Sequence, residues 1–241
     1  MTWLRTTPIA HRGLHDIAKG VPENSLAAAR AAIAKGYAIE LDVQLSRDGV
    51  VMVFHDHALK RLTGEAGSID DKTAAELGRL KLLGTAERVP TFRAFLDEVG
   101  GRVPLLIEFK DFSRRVGGLE AGAMRDLAGY DGEYAVQSFN PSSVLWFRDH
   151  APRVSRGQLR VDLLRARGFS VQERLHFHRG IRKNLGVPDF EGWHVGHIGV
   201  GAARRARAAG RDLLCWTVKT EAAKRRARAL GANIIFEAVA P

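Results

Sequence analysis

A single cysteine, Cys215, stands in a chain of 241 residues. No disulfide can form within the chain, which excludes a small disulfide-stapled fold and fits a reducing cytoplasm, the expected location. The opening residues, Met-Thr-Trp-Leu-Arg-Thr-Thr-Pro, lack the apolar stretch of a secretory signal. No run approaches the roughly 18 apolar residues that cross a bilayer, so no membrane span is expected. Pro/Ser-rich linkers and biased tracts are missing as well. With 45% hydrophobic residues, a sizeable core is within reach and disorder is not indicated.

Acidic charge is in short supply. Against 37 Lys and Arg there are 27 Asp and Glu, a net charge of +10. The excess is dominated by Arg and gathers in two clusters, 148–183 and 204–228. An anionic partner follows from the sign of the charge. Nucleic acid is not expected to be that partner, because there is no finger, homeodomain or RRM pattern and aromatics are not interleaved with the basic residues. Arg204, Arg205, Arg207 and Arg211 lie among alanines on a predicted helix and read as a solvated outer face. Steering a phosphate-bearing small molecule needs only a modest positive field.

What the chain does have is the stretch Ile39-Glu40-Leu41-Asp42-Val43-Gln44-Leu45. It alternates apolar and polar, so on a strand Glu40 and Asp42 project to one face. Two neighbouring acids repel and are costly to desolvate, and they need a cation or a shared proton between them. All-oxygen ligation suits Mg²⁺ or Ca²⁺. An isolated Glu-x-Asp is ordinarily a solvent-facing strand edge; here its surroundings argue otherwise.

Strands and helices alternate around it to the end of the chain. Strands are expected at 8–10, 37–45, 50–54, 103–107, 134–138, 153–159, 192–195, 212–216 and 233–236. Helices are expected at 26–35, where Asn24 or Ser25 could be the cap, at 74–79, from Thr91, at 116–128, from Asn140 or Ser142 to 150, at 171–177, 200–209 and 220–230. Residues 62–72 read as loop, and 160–190 are the least legible part. This alternation over about 250 residues suits one TIM (β/α)₈ barrel, a single domain over 1–241, with a small inserted segment after the second strand region. His11-Arg12, Glu40/Asp42, His55-Asp56, Glu108/Lys110, Gln137-Ser138 and Trp216 each fall at or just past the carboxyl end of a predicted strand, the rim where such barrels build active sites.

These residue types suit phosphodiester cleavage. Glu40, Asp42 and Glu108 could hold one divalent cation. Arg12 and Lys110 add fixed positive charge for the developing phosphorane. His11 and His55 suit the general acid and base, since imidazole titrates near neutrality.

His11-Arg12-Gly13, Pro22-Glu23-Asn24-Ser25, Glu40-Leu41-Asp42, His55-Asp56, Glu108-Phe109-Lys110, Gln137-Ser138-Phe139 and Trp216-Thr217-Val218 resemble, in order and spacing, the motifs of the glycerophosphodiester phosphodiesterase family. The resemblance covers nearly the whole chain and is strongest from His11 to Asn140. It implies a TIM barrel, one Mg²⁺ or Ca²⁺, and hydrolysis of glycerophosphodiesters such as glycerophosphocholine or glycerophosphoethanolamine to glycerol 3-phosphate and an alcohol. It also implies metal ligation by Glu40, Asp42 and Glu108, acid–base roles for His11 and His55, and phosphate binding by Arg12 and Lys110. Glu23 matches an acid that is an additional ligand or a partner of the ligands. Trp216 would pack against the glycerol carbons, or else be a buried barrel Trp.

The chain departs from the family pattern at Phe236-Glu237-Ala238, where relatives carry Thr-Asp-x-Pro, and at Lys219, where Asn is common. Residues 160–190 match poorly. These positions bear on the leaving group, so a lysophospholipase D acting on a substrate that keeps one acyl chain is the alternative. A barrel that binds phosphodiesters without cleaving them is disfavoured by the presence of both histidines. His176, His178 and His194 lack the paired spacing of a second metal site.

Overall fold

The computed structural model describes residues 1–111, 116–161 and 170–241. The part of the Arg-rich stretch 160–190 that spans 162–169 lies outside them. Two compact units emerge, one of Ala10–Lys110 with Gly117–Tyr134, the other of Met1–Ile9, Asp111–Val116 and Ala135–Pro241. The chain begins with a single helical turn, α1 (Trp3–Thr6), and a short strand, β1 (Ile9–Ala10).

In the first unit, α2 (Leu26–Ile33) starts where the Ser25 hydroxyl accepts the Ala28 N–H at 3.1 Å, an N-cap of the usual kind. Its Ala28, Ala29 and Ala32 are buried. The long strand β2 (Ala38–Leu45) follows, then β3 (Val51–Val53). The run 50–54 folds back antiparallel onto β2, with Val43 opposite Val53. The turn Arg47-Asp48-Gly49 sets this return, because Gly49 takes a φ of +76° that favours glycine.

An insertion follows with helices α3 (Lys60–Thr63) and α4 (Ala74–Leu77) and a 3₁₀ turn at Ile69–Asp71. The sequence reads 62–72 as loop because turns this short show no periodicity. The insertion nevertheless has its own core of Phe54, Leu59, Leu62, Ile69, Leu77, Leu82 and Val89 around Met52. Burying each side chain of that size stabilises by about 1.5–3 kcal/mol. Then come α5 (Phe92–Val99), capped by Thr91, β4 (Leu105–Phe109) and α6 (Gly118–Leu127). β4 runs parallel to β2 with Asp42 opposite Glu108, so both acids leave the same face of the sheet.

The second unit takes up the chain at β5 (Tyr134–Ser138) and α7 (Pro141–His150), whose N-cap is Asn140 with Pro141 in the first turn. It continues through β6 (Arg156–Arg160), α8 (Val171–Arg182), β7 (Phe190–His194), α9 (Val200–Ala208), β8 (Asp212–Val218), α10 (Glu221–Ala229) and β9 (Asn233–Phe236). β5 through β9 pair in parallel in that order. A Cβ on Gly157 would lie 2.1 Å from the Phe190 ring on the next strand, so any larger residue there requires that ring to move.

Three expectations change here. Helix α8 runs on to Arg182 instead of stopping near 177. Trp216 sits inside β8, not at its end. Arg204, Arg205 and Arg207 are exposed on α9, but Arg211 lies past that helix. It donates to Glu191 Oε1 at 2.7 Å and to Asn184 Oδ1 at 2.7 Å. The buried carboxylate of Glu191 draws it off the solvent face.

Candidate active site

The three acids, both histidines, Arg12 and Lys110 lie within the first unit, on and beside β2. Glu40, Asp42 and Gln44 alternate with apolar residues whose side chains go to the other face. Glu40 and Asp42 are each 1% exposed and Glu108 is 7% exposed. One carboxylate oxygen from each of the three lies within 4.8 Å of the others. The juxtaposition expected from the spacing of Glu40 and Asp42 is therefore present, and the parallel register of β4 adds the third acid.

Lys110, one residue past β4, places Nζ 2.5 Å from Glu108 Oε1 and 3.1 Å from Asp42 Oδ1. Those two oxygens are buried and lack a hydrogen bond of good geometry. Burial, together with the neighbouring charges of Asp42 and Glu108, pushes the Glu40 carboxyl well above the usual range. Burial also raises Glu108, although Lys110 opposes it. For Asp42, burial is overcome by surrounding positive charge, Lys110 foremost, and its carboxyl is held below the usual range. Three desolvated acids, two of them with an underbonded oxygen, form a hard-donor set that fits Mg²⁺ or Ca²⁺.

The His11-Arg12-Gly13 turn closes over these acids. Arg12 adopts φ +54°, and its backbone N–H donates to Glu40 Oε2 at 2.9 Å. Its guanidinium donates from Nη1 to Glu23 Oε1 at 2.6 Å. Arg12 Nε is buried, 3.5 Å from Asp42 Oδ2, with no hydrogen-bond acceptor. His11 Nε2 lies 4.0 Å from Glu40 Oε2.

His55 follows β3. Gln44 holds this segment by donating to the Phe54 and Asp56 carbonyls at 2.8 and 3.0 Å. His55 Nδ1 meets Asp56 Oδ1 at 2.6 Å. The carboxylate keeps the proton on Nδ1 and leaves Nε2 as the proton-accepting atom.

Glu23 does not join the acid cluster. Arg61 donates to its two oxygens, both at 2.8 Å, and Arg12 shares one of them. Burial opposes its ionisation, but the hydrogen bonds from Arg61 and the charges of Arg12 and Arg61 bring its pKa down to about 2. It is a partner of the arginines here. Trp216 belongs to the second unit, where its Nε1 donates to the Gly192 carbonyl at 3.0 Å. Its ring meets Phe139 and His194 edge-on. In the same unit His176 Nε2 lies 3.0 Å from Ser142 Oγ.

Arg61 is the neighbour of these residues that the sequence does not announce, and Asn24 takes another partner than the one expected. Asn24, considered as a helix cap, instead binds Asp42 at φ +55°. Asp56 contacts His55, and Arg61 contacts Glu23, from within a stretch that shows no periodicity. The pair His55-Asp56 was the only signal, and nothing local pointed to Arg61.

The chain is similar to known proteins over most of its length. The model of the "Glycerophosphoryl diester phosphodiesterase family" matches residues 11–237. YhdW of Bacillus subtilis (strain 168) is 29% identical over 233 residues, covering 93% of this chain and 91% of that protein. A glycerophosphodiester phosphodiesterase of Caldanaerobacter subterraneus is 34% identical over 168 residues, covering 65% of this chain and 67% of that one. Among solved structures, an Oleispira antarctica phosphodiesterase in complex with the product sn-glycerol-3-phosphate superposes with a TM-score of 0.77 at 25% identity. The match covers 95% of this chain and 92% of that one. The fold is the (β/α)₈ barrel expected from the strand–helix alternation.

Proposed function

The chain belongs to the glycerophosphoryl diester phosphodiesterase family, and from that premise we propose that it hydrolyses glycerophosphodiesters such as glycerophosphocholine or glycerophosphoethanolamine to glycerol 3-phosphate and an alcohol. It is a phosphoric diester hydrolase. The observation that carries the finer reading is the convergence of Glu40, Asp42 and Glu108 within 4.8 Å, beside two histidines and an arginine whose Nε is buried.

In this reading Glu40, Asp42 and Glu108 hold one Mg²⁺ or Ca²⁺. Bound there, the ion supplies Lewis-acid polarisation of the phosphoryl group and neutralises its charge. Arg12 Nε, a buried donor without an acceptor, is available to a phosphoryl oxygen. Lys110 keeps the acids' charge compensated and adds positive field to the phosphate. His55, with Nδ1 held by Asp56, offers Nε2 as general base, and His11 serves as general acid toward the departing alkoxide. Trp216 is assigned to the glycerol carbons on the strength of the family resemblance alone. The setting is the cytoplasm, in keeping with a single buried cysteine. No helix among the described residues is long and apolar enough to cross a membrane.

The test is a panel of glycerophosphodiesters, with lysophosphatidylcholine included, assayed with Mg²⁺ or Ca²⁺ and with chelator for glycerol 3-phosphate and, from the acylated substrate, for lysophosphatidate. Release from the acyl-free diesters, abolished by chelator and restored by the ion, is expected. Turnover of lysophosphatidylcholine alone transfers the assignment to lysophospholipase D chemistry. Binding without product in the presence of either ion overturns both.

A further inference from the structure

Two arms of the site meet at a residue to which no role has been given. Arg61 lies on α3, in the insertion, and its guanidinium spans two carboxylates. From Nε and Nη2 it donates to Asp56 Oδ2 and Oδ1, at 2.5 and 3.0 Å. From Nη1 and Nη2 it donates to Glu23 Oε2 and Oε1, both at 2.8 Å. Asp56 in turn contacts His55 Nδ1, and Glu23 accepts from Arg12 Nη1. One cation therefore joins the orienting group of the histidine to that of the phosphate-side arginine.

We propose that Arg61 is a positioning residue, fixing the His55 imidazole through Asp56 and the Arg12 guanidinium through Glu23, and that the insertion exists in part to hold it there. The inference rests on the function proposed above. A planar fork grips each of two carboxylates through two N–H donors at fixed angles, whereas an ammonium acts as a point charge. Asp56 is 23% exposed at the side chain. Without Arg61 only the imidazole would oppose its rotation into solvent, and with it would go the constraint that keeps the proton on Nδ1. Glu23 would be left with Arg12 alone.

The placement of Arg61 is decided by its neighbours in the chain. Leu59 and Leu62 are fully buried in the core of the insertion, and Gly64, at φ +79°, ends α3 one turn later. The helix is thereby pinned on its apolar side, and Arg61 is turned toward the site. This gives the insertion a purpose beyond filling space: its hydrophobic core acts on the chemistry through one side chain.

The experiment compares wild type with Arg61→Ala and Arg61→Lys by steady-state kinetics. Alongside, the ¹⁵N shifts of the His55 ring report its tautomer. Loss of an outer hydrogen-bonding partner at such a site typically costs about 10–100-fold, so kcat should fall by that order in Arg61→Ala while KM changes much less. Arg61→Lys should recover only part of the loss, and it serves alone if the alanine variant does not fold. In wild type Nδ1 should be protonated, and in both variants the two tautomers should mix. A kcat within twofold of wild type, or a reduced kcat with an unchanged His55 tautomer, overturns the proposal. If wild type itself releases no glycerol 3-phosphate, the functional reading fails. The tautomer measurement still decides the role of Arg61.

Discussion

Asn24 grips Asp42 from two directions. Its Nδ2 donates to Asp42 Oδ2 at 2.9 Å, and its side-chain carbonyl accepts the Asp42 backbone N–H at 3.3 Å. The residue manages both from the left-handed region, at φ +55°, where Asn is better tolerated than most side chains. The backbone strain is offset by fixing a buried carboxylate in one rotamer. Asn24→Ala should weaken cation binding by about 10–100-fold, the usual cost of losing an outer partner of a ligand. Isothermal titration with Mg²⁺ and Ca²⁺ checks this, and unchanged affinity removes Asn24 from the site.

The histidines should separate catalysis from folding. His11→Ala and His55→Ala should each lower turnover by about 10²–10⁴-fold, the span of one general acid or base. The circular dichroism spectrum and melting temperature should stay close to wild type. Undiminished turnover in either variant takes that imidazole out of the mechanism.

Gly13 is needed for space as well as conformation. A Cβ at this position would lie 2.8 Å from the Ala28 Cβ and 3.0 Å from the Ala28 carbonyl carbon, on a backbone at φ +77°. Gly13→Ala should cost about 1–3 kcal/mol from overpacking and roughly 1–2 kcal/mol more from the left-handed backbone. Denaturant titration measures the sum; a variant as stable as wild type contradicts the close packing of α2 on the His11-Arg12-Gly13 turn.

The Glu23 ion pairs set an acid limit. Its folded pKa of about 2 lies below the ordinary glutamate value of 4.5. A depressed carboxylate contributes stability that is present in full above the unfolded value and is lost as pH falls toward the folded one. Wild type should therefore be more stable than Glu23→Gln at pH 7, and the gap should shrink between about pH 4.5 and 2. Thermal melts across that range, with chelator throughout, decide it. A gap that persists at pH 2 assigns the effect to shape and not to charge.

Cys215 should be inert in the folded protein. Burial pushes its thiol up to about 12 against a small opposing effect of Arg226, and the thiolate is the reactive form. Aromatic disulfide reagents at pH 8 should label it only after denaturant is added. Rapid labelling of the native protein would mean that β8 opens locally.

Much of this was legible in the chain itself, because the signals are local. The two-residue period of Ile39–Leu45 puts Glu40 and Asp42 on one face whatever surrounds them. Strand–helix alternation gave the fold class, and Ser25, Thr91 and Asn140 announced helix starts through side-chain oxygens. The order of His, Arg, Glu and Asp motifs pointed to the chemistry. What no local pattern carries is the meeting of residues far apart in sequence. Only the parallel register of β4 on β2 brought Glu108 opposite Asp42. Only packing decided that Lys110 lies against both acids, that Asn24 serves Asp42 and not a helix, and that Glu23 pairs with arginines. Arg61 reaches Asp56 and Glu23 because a small apolar core, invisible as periodicity, fixes the shape of the insertion. Short-range sterics and side-chain alternation write themselves into sequence, whereas desolvation and ion pairing depend on which surfaces come together in three dimensions.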